Sequence, residues 1–597
     1  MNPNQAKSPL RRSPSANRRL SILYGLVILI IAVIVGRLFY LQVVRHDYYK
    51  AAALSDQLKQ YSIAPERGII EAYESGNAVP LVLNQKLYTV YADPTMIKNA
   101  ANAASAVAGI THGKASDYES LMKTKNTRYV VLAKKASEEQ SKQILALKLP
   151  GVGTQGQDYR IYPQGSLASQ LLGFVNDEGK GSYGIEQALN KELSGTPGEL
   201  KAITDANGVP LAASKDNIQI DPKDGDNIVL GLDIGMQAQM EKILASEYKA
   251  TKSQGLSAVI LDTSNGQIKA MANYPSYDPS KYQEVSNSSL FLNAAVDNAI
   301  EPGSTMKNLT TAAALDQGVI QPSTTFYDPA HWKVDGFNIT DIEEDGGAGT
   351  KSIGDILNLS LNTGATWELM QMGGGKLDSQ GRDRWHDYMV NHFQLGKATG
   401  VEQGYESAGY IPSPKTGYGL NLTYANTSFG QAVTITALQM AAALSSALNG
   451  GTYYQPHLVD RVIDSSGKTT LKKPVVVKNN VVSPKVSSDL QKLMEYVVAQ
   501  HYTTGGFTYL NFPANYSVGG KTGTAQIANP NGGYYANKFN GTYAGFVGGD
   551  KPQYVIVVYN IQPGVPGYAG SYGGQPVFAD LAHMLINDGD VTPKTGN

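Results

Sequence analysis

From Leu20 to Val44 the chain is almost wholly apolar, broken mainly by Ser21, Tyr24, Arg37 and Gln42. That run is long enough to predict a helix that crosses a bilayer. Beyond it the pattern becomes mixed and polar. Leu81 to Ala92 reads as a strand, and Ala100 to Ala108 and Ser137 to Leu147 read as helices. A polar, turn-rich stretch, Ser214-Lys215-Asp216-Asn217 and Asp221-Pro222-Lys223-Asp224-Gly225-Asp226, then marks a domain boundary. After it, strands are predicted at Ile228 to Ile234 and Ala258 to Thr263, with a helix over Met236 to Tyr248. Helices follow over Leu309 to Leu315, Ile353 to Ser360 and Thr434 to Leu448. Strands return at Lys521, Thr542 to Val547 and Tyr554 to Tyr559, before a last helix from Pro576 to Ile586. Strands from both ends around a helical middle predict an α+β domain in which helices cover a mainly antiparallel sheet.

Composition narrows the function classes. With 597 residues, 42% of them hydrophobic and 17% charged, the chain is too long for one ordinary domain. A net charge of -1 gives no footprint for nucleic acid. The concentrated positive charge, Lys7, Arg11, Arg12, Arg18 and Arg19, stands before the apolar run, which predicts a cytoplasmic N-terminus and an exported remainder. Ala51-Ala52-Ala53 resembles a signal-peptidase site, but it lies well beyond the apolar run, so an uncleaved anchor is expected. Cysteine is absent, and the 8 histidines are scattered without ligand spacing, so neither a thiol nucleophile nor a metal site is expected.

Three short tracts carry chemistry: Ser304-Thr305-Met306-Lys307, Ser360-Leu361-Asn362 and Lys521-Thr522-Gly523-Thr524. They supply a nucleophile, groups that move its proton and a cationic anchor for a carboxylate, which together describe acyl transfer. Ser-x-x-Lys recurs at Ser120/Lys123 and Ser465/Lys468, and Lys-Thr-Gly at Lys415 and Lys594, so context must choose. The Ser304 copy follows Glu301-Pro302-Gly303 and opens an apolar run that closes at Gly318, the punctuation of a helix start and stop. A spacing of three puts Ser304 and Lys307 on one helical face. The Ser120 copy reads as solvated helix and the Ser465 copy as a hairpin turn. Lys521 reads as an exposed strand position.

These ordered motifs, their Glu-Pro-Gly lead-in and the single N-terminal anchor resemble a class B penicillin-binding protein, a peptidoglycan D,D-transpeptidase. Arg67-Gly68-Ile69-Ile70 resembles that family's membrane-proximal motif. Arg160-Ile161-Tyr162-Pro163, Leu172-Gly173-Phe174-Val175 and Gly184-Ile185-Glu186 resemble its pedestal motifs. Gly430-Gln431-Ala432-Val433-Thr434 also fits, whereas Glu71-Ala72-Tyr73-Glu74-Ser75-Gly76-Asn77 departs from the usual turn. The resemblance implies a tail at residues 1–19, an anchor at 20–44, a mixed α/β pedestal at 45–226, a transpeptidase domain with a five-stranded sheet at 227–588, and a tail at 589–597.

In that family's scheme Ser304 is the nucleophile. No histidine stands at a motif position, which leaves Lys307 as the available base, its proton affinity lowered by burial and by Lys521. The resemblance assigns Ser360 a proton relay, Asn362 a hydrogen bond to substrate, and Lys521, Thr522 and Thr524 the terminal carboxylate. The oxyanion would rest on the backbone N–H groups of Ser304 and Thr524, and Gly523 leaves room for close approach. No organic or metal cofactor is implied. Implied partners are D-Ala-D-Ala stem peptides, an acceptor amine, β-lactams, the membrane and a membrane-embedded glycan polymerase of the SEDS class. A D,D-carboxypeptidase or β-lactamase, with water as acceptor, and a non-catalytic β-lactam sensor or scaffold are the alternatives. Arg67 and Glu186 are expected to serve partner contacts of the pedestal.

Overall fold

The computed structural model describes residues 14–50, 58–203, 218–341 and 347–596. Lys7, Arg11, Arg12, the Ala51–Ala53 triplet and Ser214–Asn217 lie outside them. The chain divides into two compact units: residues 1–65 with 196–223, and residues 66–195 with 224–597.

In the first unit the apolar run forms one helix, Pro14–Phe39, which continues as a π-turn over Tyr40–Val44. Its apolar stretch Arg18–Val44 spans 27 residues. At 1.5 Å per residue that is about 40 Å, more than the ~30 Å hydrocarbon core of a bilayer. At its far end Arg45 donates from Nε to Tyr40 Oη at 3.0 Å and lies over the Tyr40 and Tyr48 rings, the polar and aromatic mixture that suits an interface. The same unit holds a three-stranded antiparallel sheet, Leu58–Ile63, Gly198–Ile203 and Ile218–Ile220, in which Gly198–Ile203 is central.

The second unit contains two main sheets. One runs Thr469–Leu471, Val459–Ile463, Asn227–Asp233, Ile70–Glu74, Asn77–Ala92, Val130–Ala136, with Val152–Ile161 also paired to Asn77–Ala92. The Glu71-to-Asn77 tract makes its first hairpin through Ser75 (φ +50°) and Gly76 (φ +82°), two left-handed residues that match a two-residue turn to the strand twist. Helices Ala100–Thr111 and Glu138–Ala146 cover it, and Ser137 starts the latter with a capping box.

The other sheet is five-stranded and wholly antiparallel, ordered Ile268–Tyr274, Gly255–Asp262, Pro552–Ile561, Tyr534–Gly548, Ser517–Ala528. Its strands are apolar on both faces, and both faces are covered. Ala258, Ile260, Ile556 and Val558 pack under helices Ile234–Thr251 and Gln575–Asn587. Val259, Leu261, Val555 and Val557 join the larger core around helix Ala437–Leu448, which Thr436 starts with a second capping box. The α+β expectation holds, and Ser517–Ala528 is left as an edge strand beside the helical half.

Candidate active site

The first motif lies where that edge strand meets the helical half. Pro302 precedes a single 3-10 turn, Gly303–Met306, that leads straight into helix Lys307–Asp316. Thr305, Met306 and Lys307 are buried, while Ser304 keeps partial access to solvent. The turn is tied down from several sides. Thr305 Oγ1 and Thr542 Oγ1 donate to the Pro302 carbonyl at 2.9 and 2.7 Å, and Gly303 N donates to Gly430 O at 3.0 Å.

Lys307 is wholly buried, and its amine converges on the second motif. Nζ lies 2.9 Å from Asn362 Oδ1 and 3.2 Å from Ser360 Oγ, and also donates to the Ser360 carbonyl. The backbone makes this convergence possible. Helix Ile353–Asn358 stops two residues before Ser360, which is left-handed (φ +58°), and helix Asn362–Met372 begins two residues later. A non-glycine residue held there stores strain of the kind found at functional sites. Asp341 holds the new helix start, accepting from Asn362 N at 2.5 Å, from Thr363 N at 3.0 Å and from Thr363 Oγ1. Asn362 Nδ2 in turn donates to Thr340 O at 3.0 Å.

The third motif lies on the edge strand. Lys521 was expected at an exposed position; instead it is wholly buried, because helix Pro484–Thr503 packs over the strand. Its Nζ donates to Thr522 Oγ1 at 3.2 Å and Thr522 O at 3.1 Å. Thr524 Oγ1 accepts from Gly570 N at 2.9 Å. Gly523 is required by crowding: a Cβ there would lie 2.2 Å from Thr542 Oγ1 and 2.6 Å from Pro302 O. A Cβ on Gly303 would lie 2.8 Å from Thr524 O, so the Ser304 turn and the third motif touch backbone to backbone. All three motifs therefore meet around Ser304. The rival copies do not: Ser120 and Lys123 lie on an exposed helix end, where Lys123 pairs with Glu119 at 2.5 Å, and Ser465–Lys468 forms a hairpin turn.

Two ionisable neighbours, Glu368 and His501, carry no motif and went unseen in the sequence, and Glu301 was read only as part of the lead-in to the first motif. Glu368, on the second-motif helix, is wholly buried, and burial pushes its carboxyl up to about 8. His501, on helix Pro484–Thr503, is pushed down to about 4, first by burial and then by the charge of Lys521. Glu301 accepts from Ala432 N at 2.9 Å and Tyr534 Oη at 2.8 Å, and burial raises its carboxyl above the ordinary range.

A serine at the head of a helix, a buried lysine one turn on, a second serine within that lysine's reach and a buried lysine on a sheet edge define a serine acyl-transfer domain. Residues 256–583 match the penicillin binding protein transpeptidase domain, and residues 62–230 match the penicillin-binding protein dimerisation domain. The chain belongs to the class B penicillin-binding proteins. It is 31% identical over 578 residues to the stage V sporulation protein D of Bacillus subtilis (strain 168), covering 96% of this chain and 86% of that protein. It is 26% identical over 599 residues to the peptidoglycan D,D-transpeptidase FtsI of Escherichia coli (strain K12), covering 99% of this chain and 95% of that one. Its fold resembles that of penicillin binding protein 3 from Mycobacterium tuberculosis complexed with aztreonam, with a TM-score of 0.67 at 23% identity over 89% of this chain and 98% of that one.

Proposed function

We propose that this chain is a serine peptidoglycan D,D-transpeptidase in which Ser304 is the acylated residue. The observation that carries the assignment is the burial of Lys307 with its amine on Ser360 and Asn362, one turn from Ser304. A neutral amine has two N–H groups and one lone pair. With N–H groups on Ser360 O and Asn362 Oδ1 and with Ser360 Oγ 3.2 Å away, a neutral Lys307 carries a lone pair able to take a hydroxyl proton.

Ser304 Oγ then attacks the penultimate D-Ala carbonyl of a stem peptide as its proton passes to Lys307. The oxyanion rests on the N–H groups of Ser304 and Thr524. The C–N bond to the terminal D-Ala breaks as its nitrogen receives a proton through Ser360, and D-Ala leaves. An amine of a neighbouring stem attacks the ester, forms the cross-link and returns the proton to Ser304. Lys521, with the Thr522 and Thr524 hydroxyls beside Gly523, holds the donor's terminal carboxylate, and Asn362 the peptide. β-Lactams acylate the same serine.

We place helix Pro14–Phe39 across the membrane with its N-terminus inside, and divide the exported part into pedestal and transpeptidase domains near residue 226. The partner of this arrangement is a membrane-embedded glycan polymerase of the SEDS class, to be sought by crosslinking from the helix.

The decisive experiment is labelling of membranes containing wild type or Ser304→Ala with a fluorescent penicillin, followed by peptide mapping. A stable adduct on Ser304, absent from the variant, is expected. Labelling that survives in the variant would refute the assignment. Ser360→Ala should retain the site but label slower by roughly 10² to 10⁴.

A further inference from the structure

One turn along from Lys307, at Thr311, lies a buried carboxyl, Glu368, that acyl transfer does not use. Helices Lys307–Asp316 and Asn362–Met372 pack together, and Lys307 and Thr311, one turn apart, share the face turned to the second helix. Lys307 reaches Asn362 at its start, and Thr311 reaches Glu368 further along. Thr311 Oγ1 lies 3.0 Å from both Glu368 oxygens and, among the described residues, is their hydrogen-bond partner. One hydroxyl is poor solvation for a buried carboxylate, which normally gathers several donors or a cation.

Among the described residues, the charged and titratable groups of the other surrounding elements are engaged elsewhere. Arg384 of helix Ser379–Asp387 donates to Met372 O, and Arg382 to Asn421 and Pro414. Asp355 of helix Ile353–Asn358 is occupied by its own cap, Ser352. Tyr424 of helix Leu420–Ser428 donates to Pro412 O, and Asp316 accepts from Tyr388 and Ser483. The charged group that acts on Glu368 is Lys307.

We propose that Glu368 is a positioning residue that titrates with Lys307 as one dyad, so that its proton governs how readily Lys307 becomes the free base for Ser304. The dyad rests on the reading of Lys307 as that base. Two buried groups that sense one another lose protons in macroscopic steps belonging to the pair. Ser360 and Asn362 accept from Lys307 in either state of Glu368; an ionised Glu368 adds a negative charge that holds the proton more firmly, and a neutral one does not. The raised proton affinity of the carboxyl is consistent with this arrangement.

The test is the second-order rate of fluorescent-penicillin acylation against pH, on full-length protein in detergent, for wild type, Glu368→Gln and Thr311→Val. The wild-type rising limb should be spread over two ionisations. In Glu368→Gln, which keeps shape but removes the titration, it should contract to one ionisation displaced to lower pH by about half a unit or more, roughly threefold in rate on the limb. Thr311→Val removes the donor that favours the anion and should displace the limb the same way, a check that stands if the Gln variant does not fold. Labelled Ser304 with limbs that superimpose in every folded variant would overturn the dyad alone. Absence of Ser304 labelling in the wild type would overturn the underlying assignment and the dyad with it.

Discussion

At the scale of single residues, the site is built from groups that could not hold their positions in water. Gly523 is the plainest case, since its missing side chain is what lets the third motif reach the Ser304 turn. Gly523→Ala would push the strand off Pro302 and Thr542, and should slow acylation by about 10² or more, because displacements near 1 Å have such effects on positioned reactants. Stopped-flow acylation rates check this. Glu368 and His501 leave opposite marks on stability. The folded-state proton affinity of Glu368, at about 8, exceeds its unfolded value, so its contribution is full below roughly pH 4.3 and is lost as pH rises through 8. His501, at about 4, lies below its unfolded value, so its contribution is present above roughly pH 6.5 and is lost as pH falls toward 4. Each changes stability by up to ~1.4 kcal/mol per pH unit within its window. Thermal midpoints should therefore fall less steeply on the alkaline side in Glu368→Gln and on the acid side in His501→Gln. Unchanged slopes would refute the two titrations.

At the scale of elements, the second motif depends on how one helix ends and the next begins. Asp341 supplies the acceptor that the N-terminus of helix Asn362–Met372 needs, from 21 residues upstream of Asn362. Asp341→Ala should cost about 1–2 kcal/mol in urea denaturation, as lost caps do, and should also slow acylation because Asn362 is no longer fixed. A stability loss with unchanged acylation would separate the cap from the site. This dependence was invisible in the chain, whereas local signals were readable. Ser137 and Thr436 mark helix starts through capping boxes, Pro302 and Gly318 bracket the first-motif helix, and short continuous apolar runs give the central strands. What failed were properties set by distant packing. Lys521 looks like any strand lysine until helix Pro484–Thr503 covers it, and Glu368 looks like a helical surface glutamate until helix Lys307–Asp316 closes over it. Motif spacing singled out three tracts that the fold brings together, because their pattern is local; it could not single out the buried ionisable groups packed beside them.

At the scale of the whole molecule, the pedestal motifs raise a different issue from the one their sequence suggests. Arg67 and Glu186 read as contacts for a partner, yet Glu186 is wholly buried between two guanidinium groups. Its Oε2 accepts from Arg67 Nε at 2.8 Å and Nη2 at 2.5 Å, and its Oε1 accepts from Arg160 Nε at 2.9 Å. Arg67 also donates to Asn190 and Ser194, and Arg160 to Asn84, so the triad pins strands and short helices far apart in sequence. Strand Ile70–Glu74, which follows Arg67, pairs in parallel with Asn227–Asp233, and Tyr73 Oη donates to Asp460 at 2.6 Å. A continuous sheet thus links the strand after Arg67 to Asn227–Asp233 and Val459–Ile463. Removing one member of a buried, hydrogen-bonded ion group leaves charge uncompensated, at about 3–5 kcal/mol. Glu186→Ala should lower the unfolding free energy from urea denaturation by that much, while the molecules still folded at low temperature acylate Ser304 at the wild-type rate. Full stability with a defect confined to wall synthesis would instead return Glu186 to a role in partner contact, against its burial.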